Sequence, residues 1–283
     1  MITPEPVQAV PSARNARAWR KREVLGLVVA LGLCILGLAL LTFGLWANDG
    51  SEVRTPVASG AGRSSDGSSV SGGSSALVSP RLRAAEAAVV GIVAELRSCD
   101  RRQEGSGFVY APERVLTNAH NVAGVSGSVT VNVSGGRSFT GVVVLFDPGR
   151  DVAVLRVPGL DIPPLRFQST TRVGDAGVIV ENAGRANVTA TSAKIISRMV
   201  VSGGNIFWEN RVVRKIYVIG GQVVPGESGG PLLALDGTVS GVVFASALDE
   251  EDRGYVLTAE EVASDALTGR TAVRAVSTSR CSK

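Results

Sequence analysis

Ser228 lies in a stretch whose residue types suit nucleophilic attack on a carbonyl carbon. The stretch reads PGESGGP over residues 225–231. A serine hydroxyl is a weak nucleophile at its ordinary pKa, so it needs a neighbouring base and donors for the negative charge that develops. Because glycine permits tight turns, the N–H groups of Gly226 and Ser228 are predicted to form an oxyanion hole. Taken alone, the stretch could also be an ordinary glycine-rich turn.

His120, the single histidine of the chain, is the predicted base. Imidazole accepts and returns a proton near neutral pH. Two short strand-like runs are joined by a proline-containing turn at residues 111–114, and His120 lies just past the second run. The histidine is therefore predicted to follow a strand directly.

Asp151 is the predicted acid, because it opens the apolar run of residues 151–157. A carboxylate at that position is placed to be buried against the imidazole, where it would fix the tautomer and stabilise the imidazolium. The alternatives are Asp147 and Asp161, which look like solvated turn residues.

Four stretches together resemble the trypsin-like serine proteases of the chymotrypsin fold, in their bacterial form. They are GSGF at 105–108, TNAH at 117–120, DVAVL at 151–155 and GESGGP at 226–231. The order His, Asp, Ser is that of chymotrypsin. Over residues 85–283 the chain resembles the MarP group, the membrane-anchored acid-resistance proteases of mycobacteria and their relatives. That group carries several transmembrane helices before the protease, whereas this sequence has one candidate.

The resemblance implies an extracytoplasmic serine endopeptidase that works through an acyl-enzyme and needs no cofactor. It also implies a role in envelope stress or acid tolerance. The implied partners are protein or peptide substrates, with cell-wall hydrolases among them.

The fold class predicted for residues 81–283 is all-β. Val-rich runs recur with turn signals between them, which is typical of a sandwich or barrel. The runs are residues 87–96, 128–133, 141–146, 152–157, 177–180, 194–201, 212–219, 232–235 and 239–244. With the residue order above, we expect a chymotrypsin-like pair of six-stranded β-barrels with the catalytic residues in the cleft between them.

Local signals refine this architecture at three places. Asp236-Gly237 between two apolar runs predicts a two-residue hairpin turn. Thr258 followed by Glu261 predicts a capping box that opens a carboxy-terminal helix. Residues 81–88 could form a short helix before the first strand.

The amino-terminal third of the chain predicts a membrane anchor. Residues 1–23 form a polar, basic tail with five basic and two acidic side chains, which hold most of the net charge of +4. Residues 24–46 carry no charge, and a helix of that length spans about 34 Å, enough for a bilayer. The preceding basic cluster predicts a single pass with a cytoplasmic amino terminus and a protease domain outside the cytoplasm. Residues 47–80, rich in Ser and Gly, predict a disordered linker.

A cleaved signal peptide is the alternative for the apolar segment. Its apolar region should be shorter, and small residues should mark the cleavage site. Leu45-Trp46-Ala47 fits that pattern poorly. Beyond the basic tail the remaining charge is nearly balanced, so a nucleic-acid-binding groove is not expected.

Cys99 and Cys281 bracket the predicted protease domain and are expected to form a disulfide outside the cytoplasm. Two free thiols or an intermolecular bond are the alternatives. Cys34 lies within the apolar segment and is given no special role. Two cysteines and one distant histidine lack the spacing of a zinc site, so no metal is predicted.

The substrate-binding residues are assigned from the resemblance. It implies that the strand containing Phe244, Ala245 and Ser246 runs antiparallel to the substrate, and that Gln222 lies near the floor of the primary pocket. None of these residues is a carboxylate, so we expect uncharged side chains to be preferred over Arg or Lys. Glu227 stands where many digestive relatives have an aspartate that pairs with a freed amino terminus. No matching activation site is present, so no cleavage of that kind is expected.

Two other functions are compatible with the same motifs. A catalytically silent relative would bind peptides or cell-wall proteins, but the three predicted catalytic positions and the neighbouring glycines are intact. An HtrA-type quality-control protease would carry a peptide-binding PDZ domain after the protease. Residues 229–283 are expected to be needed to complete the second barrel.

Overall fold

The computed structural model describes residues 79–96, 99–182, 188–247, 250 and 252–282. The predicted basic tail, the apolar segment 24–46 and nearly all of the predicted linker lie outside the described residues. Within the described residues, no helix combines the length and the apolar character that a membrane span requires.

The first six strands form a closed antiparallel barrel, called barrel 1 below. Their order around the barrel is β1-β2-β3-β6-β5-β4, and β1 pairs with β4 to close it. The strands are β1 (Val89–Leu96), β2 (Arg101–Ala111), β3 (Arg114–Thr117), β4 (Ser128–Asn132), β5 (Ser138–Asp147) and β6 (Val152–Arg156). Closure removes the exposed strand edges that favour aggregation.

The next six strands form a second closed barrel, called barrel 2. Their order is β10-β11-β12-β9-β8-β7. The strands are β7 (Ala176–Glu181), β8 (Thr189–Gly204), β9 (Arg211–Gly220), β10 (Pro231–Ala234), β11 (Val239–Ser246) and β12 (Arg253–Thr258). The prediction of two six-stranded barrels is therefore confirmed.

The predicted strands differ from the observed ones in two respects. Strand β12 was not predicted, because the segment RGYVLT opens with a charged residue and a glycine and shows little alternation. Strand β8 is longer than the predicted run 194–201, and it pairs with β9 from Lys194↔Gly220 as far as Gly204↔Arg211. A turn containing Asp236-Gly237 does join β10 to β11, but as the three-residue loop Leu235-Asp236-Gly237 and not as the two-residue loop that was predicted. The N–H of Gly237, at φ 84°, donates to the carbonyl of Ala234, and the N–H of Ala234 donates to the carbonyl of Thr238.

Two helices flank the barrels. Helix α1 (Pro80–Glu86) begins inside the predicted linker, with the hydroxyl of Ser79 accepting a hydrogen bond from the N–H of Leu82. Helix α2 (Ala259–Thr271) begins at the predicted Thr258, whose hydroxyl accepts from the N–H of Glu261 at 3.1 Å. The capping box is only half formed, because the Glu261 carboxylate accepts from the N–H of Lys215 in β9.

Helix α2 is held against barrel 1 by buried polar contacts. The Arg114 guanidinium donates to the carbonyl oxygens of Gly269 and Ala272, which lie at the carboxy-terminal end of the helix. A positive charge there also complements the helix dipole. The Tyr110 hydroxyl donates to the carbonyl of Ala266 at 3.0 Å.

The carboxy-terminal tail returns to barrel 1 near the predicted histidine. Cys281 is joined to Cys99 by a disulfide, with Cα atoms 6.6 Å apart and the two residues 182 positions apart in sequence. The N–H of Gly124 donates to the carbonyl of Thr278, and the Thr278 hydroxyl donates to the carbonyl of Val125. The predicted cysteine pairing is present in the structure.

Candidate active site

His120 and Asp151 are in direct contact in barrel 1. His120 lies in a 3₁₀ turn (Ala119–Asn121) after β3, and Asp151 lies just before β6. The imidazole Nδ1 is 2.8 Å from Oδ2 of Asp151, and the N–H of His120 donates to Oδ1 at 2.9 Å. Their side chains are 25% and 6% exposed, respectively. With Nδ1 bound to the carboxylate, Nε2 is the ring nitrogen left to exchange a proton.

The pKa of His120 reflects two opposing effects. Burial by itself lowers the pKa of the imidazole. The negative charge of Asp151 and its hydrogen bond outweigh burial, so the pKa lies above the ordinary value of histidine. The contact thus favours the imidazolium, the form that a general base acquires during reaction.

The backbone of Asp151 is restrained on both sides. Asp151 has φ 65°, in the left-handed region that is uncommon for residues other than glycine. The amide of Asn118 donates to its carbonyl at 2.8 Å. On the preceding side, Oδ1 of Asp147 accepts from the N–H groups of Gly149 and Arg150 at 2.7 and 2.9 Å. These contacts fix the direction in which the Asp151 carboxylate leaves the chain.

Neither alternative acid takes the place of Asp151. Asp147 closes the turn just described and forms an ion pair with Arg150. Asp161 pairs with Arg137 at 3.4 Å, and its side chain is 72% exposed. Both aspartates have structural or solvated roles here, and only Asp151 contacts the histidine.

Residues 224–230 form two consecutive tight turns around Ser228. The N–H of Glu227 donates to the carbonyl of Val224 at 3.2 Å, and the N–H of Gly230 donates to the carbonyl of Glu227 at 2.9 Å. Gly226 and Gly229, at φ 107° and 88°, occupy positions that favour glycine. A Cβ on Gly229 would lie 2.2 Å from the carbonyl oxygen of Ser106. Turn geometry thus favours glycine at both positions, and close packing also requires it at Gly229.

The two predicted oxyanion-hole donors are available. Within the described residues, the N–H groups of Gly226 and Ser228 donate to no other group. Ser228 is partly exposed. Two free N–H groups beside a partly exposed serine are suited to bind a carbonyl oxygen.

Ser228 is connected to barrel 1 through its backbone. Its carbonyl oxygen accepts from the N–H of Ser106 and from the side-chain amide of Asn121, each at 2.9 Å. Asn121 follows His120 directly in the chain. Across the described residues the Ser228 hydroxyl makes no hydrogen bond to His120, so the two residues are linked here through Asn121.

Glu227 is a buried acid beside the nucleophile. The residue is 1% exposed, and its Oε2 accepts from the N–H of Val224 at 2.8 Å. Burial, together with the nearby charge of Glu181, raises the pKa of Glu227 to about 7 despite that hydrogen bond. Oε2 of Glu181 is buried without a hydrogen-bond partner among the described residues. Two carboxyl groups buried together favour the protonated form of one of them.

The predicted substrate-binding strand is attached to the nucleophile loop. The N–H of Gly229 donates to the carbonyl of Val243 at 2.8 Å, and the N–H of Val243 donates to the carbonyl of Gly230 at 2.9 Å. A bulge follows between Val243 and Ala245, which leaves Phe244 outside the pairing with β12. Phe244 and Ala245 are partly buried, and Ser246 is exposed.

Gln222 is exposed, and the buried side chain at this turn belongs to Val223. A Cβ on Gly254 of β12 would lie 2.2 Å from Cγ2 of Val223, so glycine at 254 is needed for Val223 to pack there. Apolar packing of Val223 on Gly254 therefore joins the nucleophile turn to β12.

Phe244 also lines an open groove of about 440 Å³ on the outer surface of barrel 2. Strands β8, β9, β11 and β12 contribute mostly apolar side chains, and an ion pair between Glu250 and Arg253 lies among them. The remaining lining residues are Ile196, Ser197, Met199, Val201, Ile216, Val218 and Tyr255.

Several residues of the site were not identified from the sequence. Asn118 and Asn121 flank His120 and bind the backbone of Asp151 and Ser228. Their proximity to the histidine was the one available signal. Glu181, at the end of β7, has no sequence signal, because its relation to Glu227 arises from packing. Within the described residues, no cluster of three or more His, Cys, Asp or Glu side chains could hold a metal ion.

The sequence and the fold both match known proteases. A family model for the trypsin-like peptidase domain matches residues 105–242. The crystal structure of the Rv3671c protease from Mycobacterium tuberculosis in its active form superimposes with a TM-score of 0.70 at 40% identity, over 84% of this chain and 100% of that one. The chain belongs to the trypsin-like serine protease family. The predicted family and the serine-endopeptidase type of the domain are thus confirmed.

Two further matches define the extent of the similarity to this protease. The inactive form of the Rv3671c protease matches with a TM-score of 0.60 at 42% identity, over 68% of this chain and 93% of that one. The full Rv3671c sequence, the MarP serine protease, is 45% identical over 186 residues, which are 65% of this chain and 46% of that protein. The chain therefore spans about half the length of the curated relatives it matches.

Proposed function

We propose that this protein is a serine endopeptidase in which His120, Asp151 and Ser228 form the catalytic triad. The observation that carries the proposal is the 2.8 Å contact between Nδ1 of His120 and Oδ2 of Asp151. The unoccupied N–H groups of Gly226 and Ser228 support it. Membership of the trypsin-like family supplies the reaction class, the hydrolysis of peptide bonds.

The first half-reaction acylates Ser228. Nε2 of His120 takes the hydroxyl proton as the Ser228 oxygen bonds to the carbonyl carbon, and Asp151 stabilises the imidazolium. The N–H groups of Gly226 and Ser228 donate to the carbonyl oxygen, which now carries the negative charge. The carbon–nitrogen bond then breaks, the imidazolium gives its proton to the leaving amine, and an ester to Ser228 remains.

The second half-reaction releases the acid. Water attacks the ester carbon while His120 removes a proton from it, and the same two N–H groups stabilise the second tetrahedral intermediate. Collapse breaks the bond to Ser228, which recovers its proton from the imidazolium.

For specificity, we propose a preference for uncharged side chains on the amino side of the cleaved bond. Val223 packs against Gly254 beside the nucleophile turn, and the groove next to Phe244 is mostly apolar. Gln222, Phe244, Ala245 and Ser246 stay the proposed substrate-binding residues. Profiling with a peptide library should show this preference, and dominant cleavage after Arg or Lys would contradict it.

For location and role, we propose a protease domain anchored to the cytoplasmic membrane by residues 24–46 and facing the exterior. The charge-free apolar segment after a basic cluster supports this topology. Similarity to the MarP protease supports a role in envelope stress or acid tolerance, with cell-wall hydrolases as candidate substrates. Protease accessibility in intact cells tests the topology, since a domain protected from added protease would contradict it.

Labelling with a fluorophosphonate probe tests the triad. Wild type should be labelled and should cleave unstructured polypeptides, whereas Ser228→Ala should lose both properties. His120→Ala should lower the labelling rate by about 10³-fold or more, because the base is removed. Ser240→Ala is the matched control and should keep full labelling, since among the residues that the structure describes this buried hydroxyl bonds to Gln168 alone. Label retained in Ser228→Ala would place the nucleophile elsewhere, and a folded wild type without label would indicate a silent peptide-binding relative.

A further inference from the structure

Ser106 of β2 connects barrel 1 to the nucleophile loop of barrel 2. The residue is 0% exposed. Its hydroxyl donates to the carbonyl oxygen of Gly226 at 2.7 Å and accepts from the N–H of Asn182 at 3.0 Å. The bond to Gly226 joins residues that are 120 positions apart in sequence. The donor of this hydroxyl is thus committed to a single carbonyl group.

Gly226 is the residue of the oxyanion hole that most needs external restraint. It has no side chain, and at φ 107° it occupies a region where glycine rotates freely. Its N–H is free to bind substrate, so its carbonyl is the remaining polar group through which the protein can hold it. Within the described residues, that carbonyl accepts its hydrogen bond from Ser106.

The backbone of Ser106 also holds the second oxyanion donor residue. Its N–H donates to the carbonyl oxygen of Ser228 at 2.9 Å. Its own carbonyl accepts from the Thr117 hydroxyl at 2.6 Å, which fixes Ser106 within barrel 1. One buried residue therefore binds the carbonyl groups of both Gly226 and Ser228, whose N–H groups are the proposed oxyanion donors.

The residues next to Ser106 permit this close approach. A Cβ on Gly105 would lie 2.4 Å from Nδ2 of Asn121, and a Cβ on Gly107 would lie 2.9 Å from the carbonyl oxygen of Leu116. Side chains at either position would displace β2 or Asn121. The segment Gly105-Ser106-Gly107 thus brings a single hydroxyl to the barrel interface without obstruction.

We infer that Ser106 is a positioning residue for the oxyanion hole: its buried hydroxyl holds the Gly226 carbonyl, and this keeps the Gly226 N–H directed at the substrate carbonyl. The inference rests on the proposed function. Without the hydroxyl, the partly buried Gly226 carbonyl loses its partner among the described residues, and rotation of the flexible glycine toward solvent lets water replace it. Such a rotation also moves the N–H away from the developing oxyanion.

Ser106→Ala tests the inference through the split between kcat and KM. Loss of one oxyanion donor costs about 10²–10³-fold in kcat. Misalignment should cost less, so we expect kcat to fall about 10–100-fold while KM changes less than about threefold. A peptide aldehyde, whose adduct places an oxyanion in the hole, should lose affinity in parallel with kcat/KM.

Two further variants keep the test decisive. Ser240→Ala removes a hydroxyl from another buried serine and should leave kcat, KM and aldehyde affinity unchanged. Ser106→Cys keeps a weak donor at nearly the same volume, and its kcat should lie between those of wild type and Ser106→Ala. It replaces the alanine variant if that protein does not fold.

The outcomes separate this inference from the proposed function. A wild type without peptidase activity or fluorophosphonate labelling contradicts the proposed function. An active wild type together with a folded Ser106→Ala or Ser106→Cys of unchanged kcat overturns the inference alone. So does a variant whose KM rises while kcat is preserved, because uniform loss of binding is not loss of oxyanion alignment.

Discussion

Asp151 shows how a single residue combines backbone and side-chain constraints at this site. Its left-handed φ of 65° is accepted by aspartate at modest cost when surrounding contacts impose it. Asn118 binds its carbonyl, and both carboxylate oxygens bind His120. The residue is therefore held in an uncommon conformation from which the carboxylate orients the imidazole.

Glu227 is a second single residue with a large effect, because its ionisation makes the stability of the folded protein depend on pH. Its pKa in the folded protein is about 7, above the ordinary value of 4.5. Between these values the folded state binds more protons at this residue than the unfolded state, so stability falls as pH rises. The loss of folding stability caused by ionising the buried Glu227 is absent below about pH 4.5 and complete above about pH 7. It amounts to about 3 kcal/mol.

We predict that Glu227→Gln weakens the pH dependence of stability. Glutamine keeps an acceptor for the N–H of Val224 but does not titrate. Thermal midpoints of the full-length chain, measured from pH 5 to pH 8, should fall less in Glu227→Gln than in wild type, by a difference of about 5–10 °C. Asp161→Asn, at an exposed carboxylate, is the control and should follow wild type. Equal slopes for wild type and Glu227→Gln would show that Glu227 is ionised throughout this range.

At the scale of elements, helix α2 lies close to barrel 1 because it carries glycine at the contact. A Cβ on Gly269 would lie 2.6 Å from Cγ2 of Val154 in β6 and 3.0 Å from the Tyr110 hydroxyl. Val154 is fully buried and β-branched, so it has little freedom to move aside. The glycine lowers the intrinsic stability of the helix but permits the packing that holds it.

We predict that Gly269→Ala destabilises the protein by about 1–2 kcal/mol, because overpacking outweighs the gain in helix propensity. Val154→Ala removes the methyl group nearest to the added Cβ, but Cβ of residue 154 remains at 2.8 Å. In that background Gly269→Ala should therefore still destabilise, by less than in wild type, and a double-mutant cycle on unfolding free energies measures the difference. The same loss in both backgrounds would show that Val154 is not the obstruction.

At the scale of the whole molecule, the carboxy-terminal tail and the disulfide return the end of the chain to barrel 1. Cys281 bonds to Cys99. Thr278, three residues earlier, accepts a hydrogen bond from the N–H of Gly124 and donates its hydroxyl to the carbonyl of Val125. Gly124 and Val125 follow His120 closely. The tail therefore covers the barrel next to the turn that presents the histidine.

We predict that the double variant Cys99→Ser, Cys281→Ser is less stable than wild type by about 2–5 kcal/mol. The upper limit is the chain-entropy value for a loop of 182 residues, about 5 kcal/mol. Unfolding with and without reductant measures the effect, and reductant should change wild type but not the double variant. Cys34→Ser is the control for thiol removal and should behave as wild type. Wild type that is insensitive to reductant and loses no stability on substitution would contradict a bond that stabilises the domain.

The sequence alone was sufficient for those features that depend on local chemistry. Glycines around Ser228, a lone histidine after a strand and an aspartate opening another strand are recognisable because each is specified by near neighbours. Val-rich runs separated by turn residues likewise predict barrel strands, since β-branched residues favour strands and turn residues interrupt them. Strand β12 was not predicted from the sequence. It begins with Arg253-Gly254, and the glycine is explained by packing against Val223, a contact that the sequence does not show.

Only the tertiary structure decided how distant groups act on one another. The bond from Ser106 to Gly226, the burial of Glu227 near Glu181 and the contact of Arg114 with the end of helix α2 join segments far apart in the chain. Hydrogen-bond geometry and pKa depend on separations of a few ångströms and on exclusion of water. Those quantities exist only once the two barrels have closed and packed together.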